Sequence, residues 1–323
     1  MTRLDIVVPV YNEAESAASF CALVAAFEAQ VQARFGFSVH KIIVDDGSTD
    51  GSVGILSQTL AGSWEMVRLS RNFGKELAVL AGLDRSAGDY TLIMDADLQH
   101  SAEVALGMLA ELHADREIDV VFARIAERSE SRTRGWLSRR FYELMNAGQR
   151  YEIPANGGDF RVMRRPVVEA FRRLRDHQRF NKGLYAWAGF RQKAVDYMPA
   201  PRVAGSTKWS RLSLLALSVE AITSFSVVPL RMIALLGLVV ALAGMAYGVS
   251  IIVEVIFNGV AVPGYPSLVV AVVVLGGFNL ALLGVIGEYL WVAVSEGKDR
   301  PPYLVRDITS SAQQAGGDWK PVP

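Results

Sequence analysis

YTLIMDADLQH, residues 90–100, is the stretch on which the reading of this chain turns. Four mostly apolar residues, Thr91 to Met94, run into Asp95-Ala96-Asp97. That is the pattern of a buried strand ending abruptly in two carboxylates one residue apart. Strand side chains alternate faces, so Asp95 and Asp97 share a face if the extended geometry persists beyond the apolar run. Two such carboxylates make a hard-oxygen site for Mg²⁺ or Mn²⁺, which in turn holds a diphosphate. Taken alone, the short D-x-D pattern reads equally well as a solvated surface turn.

Two further runs shift that balance. Leu4 to Val10, LDIVVPV, is followed by Tyr11-Asn12-Glu13, and Lys41 to Val44, KIIV, is followed by Asp45-Asp46-Gly47-Ser48-Thr49-Asp50. Three apolar runs thus end in polar clusters, and in an open α/β sheet ligands collect at the carboxyl ends of the strands. Residues 14–32 and 51–60 between the runs read as helices, with Asn12 and Asp50 as N-caps. The alternation predicts an α/β domain with a doubly wound, mainly parallel sheet and right-handed crossovers.

The 323 residues are 51% hydrophobic, with a mean hydropathy of +0.25, high for a wholly soluble protein. The excess lies near the C-terminus. Residues 232–253 are 22 positions without a formal charge, and residues 255–287 are 33 more. About 20 apolar residues suffice to cross a bilayer. Two transmembrane helices are therefore expected, at 232–256 and 266–291, joined by NGVAVPGYP (258–266), whose Gly and Pro break helices. The hairpin carries no Lys or Arg, whereas Arg231 precedes it and Lys298, Arg300 and Arg306 follow, so both termini are expected in the cytoplasm. No signal peptide is visible before the first strand pattern. Residues 210–228 read as an amphipathic helix in the membrane interface, with a core helix as the alternative. The Ser-, Gln-, Gly- and Pro-containing tail from Thr309 reads as disordered. The domain plan is a cytoplasmic domain over 1–208, a juxtamembrane helix over 209–230, a membrane hairpin over 231–292 and a tail over 293–323.

A net charge of zero hides an asymmetry. Residues 1–120 carry 8 Lys+Arg and 18 Asp+Glu, while residues 121–193 carry 17 and 7. The basic block suits an anionic partner such as a membrane surface, a lipid phosphate or a nucleotide diphosphate, although a solvated helical face accounts for part of it. Neither a basic motif interleaved with aromatics nor a helix-turn-helix pattern is present, so nucleic acid is not an expected partner. The single Cys21 excludes an intrachain disulfide, and His40, His100, His113 and His177 are too scattered for zinc.

VPVYNE (8–13), DDGSTD (45–50), RNFGKELAVLAGL (71–83) and DADLQ (95–99), in this order, resemble the pattern of glycosyltransferase family 2. RVAGSTKW (202–209), VPLR (228–231), Gly287-Glu288-Tyr289 and Arg300-Pro301 are similar to segments of its polyprenyl-phosphate subgroup, the dolichyl- and undecaprenyl-phosphate glycosyltransferases. The resemblance implies a GT-A-type, Rossmann-like fold. It implies inverting transfer of a hexose from a nucleotide sugar, UDP-glucose before GDP-mannose, to a polyprenyl phosphate. The place would be the cytoplasmic face of the inner (plasma) membrane, and the enzyme a homo-oligomer, tetrameric by family resemblance.

The resemblance also implies roles. Pro9, Tyr11 and Glu13 match nucleotide-contacting positions, as does Asp46, for which a turn-forming role is the alternative. Asp97 is expected to ligate the metal directly, Asp95 to touch ribose, metal or both, and Gln99 to support the metal or the sugar. Asp159 in NGGDFR (156–161) matches the acceptor-side acid. General base is the usual assignment, but a lipid phosphate is already largely deprotonated near neutral pH, so orienting an arginine or the acceptor is the other role open to it. Arg124, Arg128, Ser129 and Arg132 are candidates for the acceptor phosphate. Lys208 is the candidate for the donor diphosphate, with snorkelling at the membrane surface as the alternative. Two departures from the subgroup leave the metal-site residues untouched: Leu290-Trp291-Val292-Ala293 follows Tyr289, and Ser206-Thr207-Lys208 replaces the simpler Ser-Lys. A processive polysaccharide synthase normally carries a Q-x-x-R-W motif, which Gln178-Arg179-Phe180 does not supply. An inactive membrane scaffold is opposed by the intact Asp95, Asp97 and Asp159.

Overall fold

A computed structural model describes residues 1–126, 151–154, 157–177, 179–198, 264–298 and 300–315, with scattered positions within 142–146 and 233–257. Two compact units emerge. The first begins β1 (Arg3–Val10), α1 (Ala14–Phe35), β2 (Ser38–Asp45), α2 (Ser52–Thr59), β3 (Ser63–Leu69), α3 (Lys75–Arg85), β4 (Tyr90–Ile93) and α4 (Ala102–Ala114). It continues with β5 (Val120–Ile125), β6 (Gly157–Arg164), α5 (Arg165–Arg173), α6 (Asn181–Trp187), β7 (Gln192–Tyr197), β8 (Val305–Ser310) and α8 (Ser311–Ala315).

The strands form one mixed sheet in the order β7-β5-β6-β4-β1-β2-β3-β8. β4, β1, β2 and β3 are parallel neighbours, whereas β6 runs antiparallel between β4 and β5, and β8 antiparallel on β3. β1 is central because it is apolar on both faces: Leu4, Ile6, Val7 and Val8 are fully buried. α3 packs on β1 and β2, and α1 packs on α2 and α4. Phe20 and Phe27 of α1 are buried in the core, each contributing about 1.5–3 kcal/mol by leaving water. Close approach of α3 to the sheet requires Gly82, where a Cβ would lie 2.3 Å from Val7 Cγ1. Asp5, fully buried within β1, accepts the Ala87 and Gly88 amides and the Ser86 hydroxyl, closing the turn between α3 and β4.

Composition placed Thr309 onward in a disordered tail. Thr309 and Ser310 instead end β8, and α8 follows. The β-branched Val305, Ile308 and Thr309 find an open edge in β3, and pairing there satisfies backbone groups that a tail would leave to water. Arg68 Nη1 donates to Asp307 Oδ2 at 3.2 Å, and the Tyr303 hydroxyl donates to Asp84, itself ion-paired with Arg175.

The second unit contains α7 (Tyr265–Glu296). Its Leu275–Val294 window has a mean hydropathy of 1.6 and is the one helix among the described residues long and apolar enough to cross a membrane. Its apolar side chains, such as Leu280, Leu283 and Leu290, are exposed, and Lys298 sits 5.0 Å from the Trp291 ring, a cation–π contact at the end of the helix. The described positions within 233–257 are helical. About half of the first expected span and all of the expected juxtamembrane helix at 210–228 lie outside the described residues.

Candidate active site

The chain moves outward from β1 through β2 to β3, then crosses back to lay β4 on the other side of β1. That reversal opens a crevice at the carboxyl ends of β1 and β4. The loops carrying Tyr11–Glu13, Asp46–Asp50 and Asp95–Gln99 all leave strands at this end.

The first two loops are laced together. Asn12 has φ 55°; its amide donates to Ser48 Oγ at 2.9 Å, and its Oδ1 accepts the Thr49 amide at 2.8 Å. The expected N-cap at Asn12 is therefore not formed. Glu13 occupies the cap position of α1, because the left-handed Asn12 turns its side chain toward the neighbouring loop. Asp50 serves both helices, accepting the Ala14 amide at the start of α1 and the Ser52 amide at the start of α2. Pro9 is half-buried, Tyr11 is exposed, and Glu13 accepts the Ser16 hydroxyl at 3.0 Å.

Asp46 is buried, and its two carboxylate oxygens accept the Phe73 and Gly74 amides at 2.7 and 2.9 Å. Burial pushes its carboxyl above the ordinary range, and the two amides pull it back. Gly47, at φ 76°, lies against the same loop: a Cβ there would sit 2.7 Å from the Arg71 carbonyl carbon. The DDGSTD and RNFGK segments thus interlock, and the interlock sets the start of α3. Asp46 thus anchors the neighbouring loop, while the turn itself is closed by Asp45, whose Oδ1 accepts the Ser48 amide at 3.0 Å.

After β4 the extended geometry does not persist. The strand stops at Ile93, Ala96 and Asp97 form a turn, and Leu98 is left-handed at φ 62°. Asp97 Oδ1 accepts the Gln99 amide at 3.2 Å. An aspartate side chain competes for nearby backbone amides, and here that competition ends the strand before the alternation of faces reaches Asp97. Asp95 donates its amide to Nδ1 of His100, whose buried ring stacks on Phe160 at 4.1 Å. Burial lowers the proton affinity of this imidazole.

β6 supplies the acid of the opposite wall. It pairs with β4 so that Ile93 faces Arg161; two places further along this antiparallel register, Asp159 comes level with Asp95. Between them stands Lys75. Its Nζ lies 2.7 Å from both Oδ2 and Oδ1 of Asp95 and 3.4 Å from Asp159 Oδ2. Burial alone would lower the lysine's proton affinity, but Asp95 and then Asp159 override it and hold the ammonium well above the usual lysine range. The lysine stem is still about two-fifths exposed, with 41% relative side-chain area.

Asp159 is backed by a group of polar side chains. Arg161 and Tyr185 are buried, and the Arg161 guanidinium lies 3.2 Å from the centre of the Tyr185 ring. Burial lowers the proton affinity of Arg161 and raises that of the Tyr185 phenolate. Glu76 accepts the Asn181 amide at 2.9 Å. Burial, and then the charge of Asp159, push the Glu76 carboxyl up to about 7. Sequence reasoning passed over Lys75 and Glu76, although both lie in the quoted motif 71–83. A lysine and a glutamate at the first two positions of a helix that follows a glycine were the available signal.

Asp95 and Asp97 give a divalent cation hard oxygens. Among the described residues no group of three or more His, Cys, Asp or Glu side chains is placed to hold a metal ion, so the donors are these two carboxylates. That donor set fits Mg²⁺ or Mn²⁺ bound through one or two carboxylates and completed by phosphate oxygens and water, with Gln99 beside it. Of the acceptor-phosphate candidates, Arg124 lies on β5 and grips Asp196 of β7 in a two-pronged surface pair at 2.6 and 3.0 Å. Arg128, Ser129, Arg132 and Lys208 lie outside the described residues.

The family model for glycosyl transferase family 2 matches residues 5–172. The chain is 38% identical over 312 residues to the prophage bactoprenol glucosyl transferase homolog of Escherichia coli (strain K12), covering 95% of this chain and 99% of that protein. It is 38% identical over 311 residues to the bactoprenol glucosyl transferase of Shigella phage SfV, covering 94% and 98%. An uncharacterized glycosyltransferase of Synechocystis is likewise 38% identical over 309 residues, covering 95% of each chain.

Proposed function

The chain belongs to glycosyl transferase family 2, and we propose that it transfers a hexose, glucose from UDP-glucose before mannose from GDP-mannose, to a polyprenyl phosphate. The observation that supports this chemistry is the meeting of Asp95 and Asp159 across Lys75 at the switch point of the sheet. The acceptor class rests on near full-length similarity to proteins named bactoprenol glucosyl transferases.

In this reading the loops after β1 and β2 hold the nucleoside, through Pro9, Tyr11 and Glu13, with Asp46 fixing the loop that presents Lys75. Asp95 and Asp97 hold Mg²⁺ or Mn²⁺, which when bound stabilises the charge that develops on the departing diphosphate. An oxygen of the lipid phosphate attacks the anomeric carbon from the face opposite the diphosphate. One carbon–oxygen bond forms, the bond to the diphosphate breaks, and the configuration inverts. Asp159 orients the acceptor beside Lys75; the lipid phosphate needs little proton removal. Arg124, Arg128, Ser129 and Arg132 are proposed to meet that phosphate, and Lys208 the donor diphosphate. We place the first unit on the cytoplasmic face of the inner membrane, anchored by two spans with both termini inside, in a homo-oligomer.

The test uses the full chain in vesicles containing undecaprenyl phosphate, supplied in turn with UDP-, GDP- and dTDP-sugars, with the lipid products weighed by mass spectrometry. A lipid heavier by one hexose in the UDP-glucose arm is the expected result. Nucleotide binding with no sugar transferred to lipid in any arm would sink the acceptor assignment.

A further inference from the structure

We propose that Glu76 is a positioning residue for Asp159: it ties the start of α6 to the start of α3, so that the Tyr185–Arg161 stack stands behind Asp159 while Lys75 stands in front. This rests on the reading of Asp159 as the acceptor-side acid.

The tie is two-stranded. Glu76 Oε2 accepts the Asn181 amide at 2.9 Å, and Asn181 Nδ2 donates to the Glu76 carbonyl at 3.4 Å. Asn181 is 1% exposed, and its Oδ1 accepts Arg179 Nε at 2.7 Å. Tyr185 follows Asn181 by four residues, so both lie on one face of α6. That face brings the Tyr185 ring under the Arg161 guanidinium at 3.2 Å. Arg161 is two residues from Asp159 on β6, so the two side chains leave the same face of the strand. Glu76 is therefore linked to Asp159 through α6, whose Asn181 it holds and whose Tyr185 stacks on Arg161, two residues from Asp159 on β6.

The polar atoms at the end of this link are unusual. Arg161 Nε and Nη1, Arg179 Nη2, the Tyr185 hydroxyl and Asp159 Oδ1 are buried without a hydrogen-bond partner among the described residues. Arg161 does donate Nη2 to the Gly158 carbonyl at 2.6 Å, which holds the guanidinium across the strand that carries Asp159. Buried polar groups are nearly always satisfied, and a concentration of exceptions around one carboxylate marks a place where electrostatics outweighs stability.

A helix cap alone would need only a neutral acceptor. Glu76 instead brings a carboxyl group that exchanges its proton near neutrality, held there mainly by burial and then by Asp159. The charged and titratable groups facing it are Lys75 on α3, Asp159 and Arg161 on β6, Lys182 and the neutral Tyr185 on α6, and Arg179 before α6. Its charge changes the field on Asp159, while its reach fixes α6.

The experiment measures initial rates of lipid glycosylation by the full chain in vesicles across the neutral pH range. Glu76→Gln retains the oxygen that accepts from Asn181 and removes the charge. Turnover is expected to fall about tenfold or more, as for other residues that orient a catalytic group through contacts. The KM for UDP-glucose should stay within about twofold, since donor binding is untouched. The inflection near pH 7 in the wild-type kcat profile should vanish. Glu76→Asp retains the charge but shortens the reach, so kcat should fall with the inflection kept. Wild-type kcat and pH profile in Glu76→Gln overturn the proposal; if that variant does not unfold cooperatively, wild-type kcat in Glu76→Asp overturns it instead. Asp159→Asn separates the two levels. If it keeps wild-type turnover, the acceptor-side reading fails; if it is inactive while Glu76→Gln behaves as wild type, only the role of Glu76 fails.

Discussion

Replacing Asp46 with alanine discriminates between a carboxylate that touches the base and one that builds the loop beneath it. The side chain accepts two amides, from Phe73 at 2.7 Å and Gly74 at 2.9 Å. Each hydrogen bond to a charged group contributes ~1.5–3 kcal/mol, which bounds the loss at ~3–6 kcal/mol. Two effects reduce it. The carboxyl is pushed up chiefly by burial, so its removal also relieves a desolvation cost, and a water entering the space would satisfy one amide. A net loss of ~2–3 kcal/mol remains, which for a domain of this size lowers Tm by ~4–12 °C. Asp46→Asn retains one acceptor and sets an NH₂ against the second amide, so an intermediate shift is expected.

The assay is thermal unfolding followed by circular dichroism on the full chain, paired with UDP binding by calorimetry. Because the Phe73–Gly74 loop leads into Lys75, nucleotide affinity and turnover should fall together with stability. An Asp46→Ala protein that melts within ~1 °C of wild type yet binds UDP more than ~10-fold more weakly would refute the scaffold argument and put Asp46 on the nucleotide itself.

Asp97→Asn should lower turnover by orders of magnitude with Tm unchanged, and chelation of the wild type should do the same; full turnover in excess chelator would remove the metal from the mechanism. Deleting residues 305–323 uncovers the β3 edge and removes the Arg68–Asp307 pair, so light scattering should report aggregation on warming, and an unaltered melt without scattering would contradict this. Glu76 titrates at about 7 in the fold against 4.5 ordinarily, so between these values the folded chain holds a proton that the unfolded chain releases. Stability contributed below pH 4.5 is thus lost as pH rises through about 7, by at most ~3 kcal/mol. Glu76→Gln should gain Tm on wild type at pH 8 relative to pH 5, and equal differences at both pH values would contradict the shift.

The centre of the fold was legible because β1, β2 and β4 are continuous apolar runs ending in polar loops, a pattern local to each segment. β3, SWEMVRL, was not read as a strand: charged Glu65 and Arg68 interrupt it, and their partners, Arg85 and Asp307, are remote in sequence. β6 begins Gly157-Gly158-Asp159 and reads as a loop motif. Its insertion between β4 and β5 is a long-range event with no local signature. At Asp97 the sequence left two readings open, a shared strand face and a surface turn; the turn forms because the aspartate captured an amide of its own loop. Lys75 and Glu76 were missed for a different reason: what marks them is their neighbours, which come from β4, β6 and α6.

The antiparallel β6 explains why the candidate site needs that lysine. The loops after β1, β2 and β4 all leave parallel strands and open at one end of the sheet. A strand running the other way and overshooting β4 brings Asp159 into the same crevice, level with Asp95. Two carboxylates that close repel unless a cation lies between them. Lys75 occupies the first position of α3, where the helix dipole disfavours a cation by about 0.3–1 kcal/mol. Helix formation by itself therefore gives no reason for a lysine there. The reason is tertiary: Asp95 and Asp159 both reach its ammonium, and Asp46 and Gly47 fix the loop that aims it. The motif containing Lys75 is thus the mechanical link between the loop after β2 and the acid on β6.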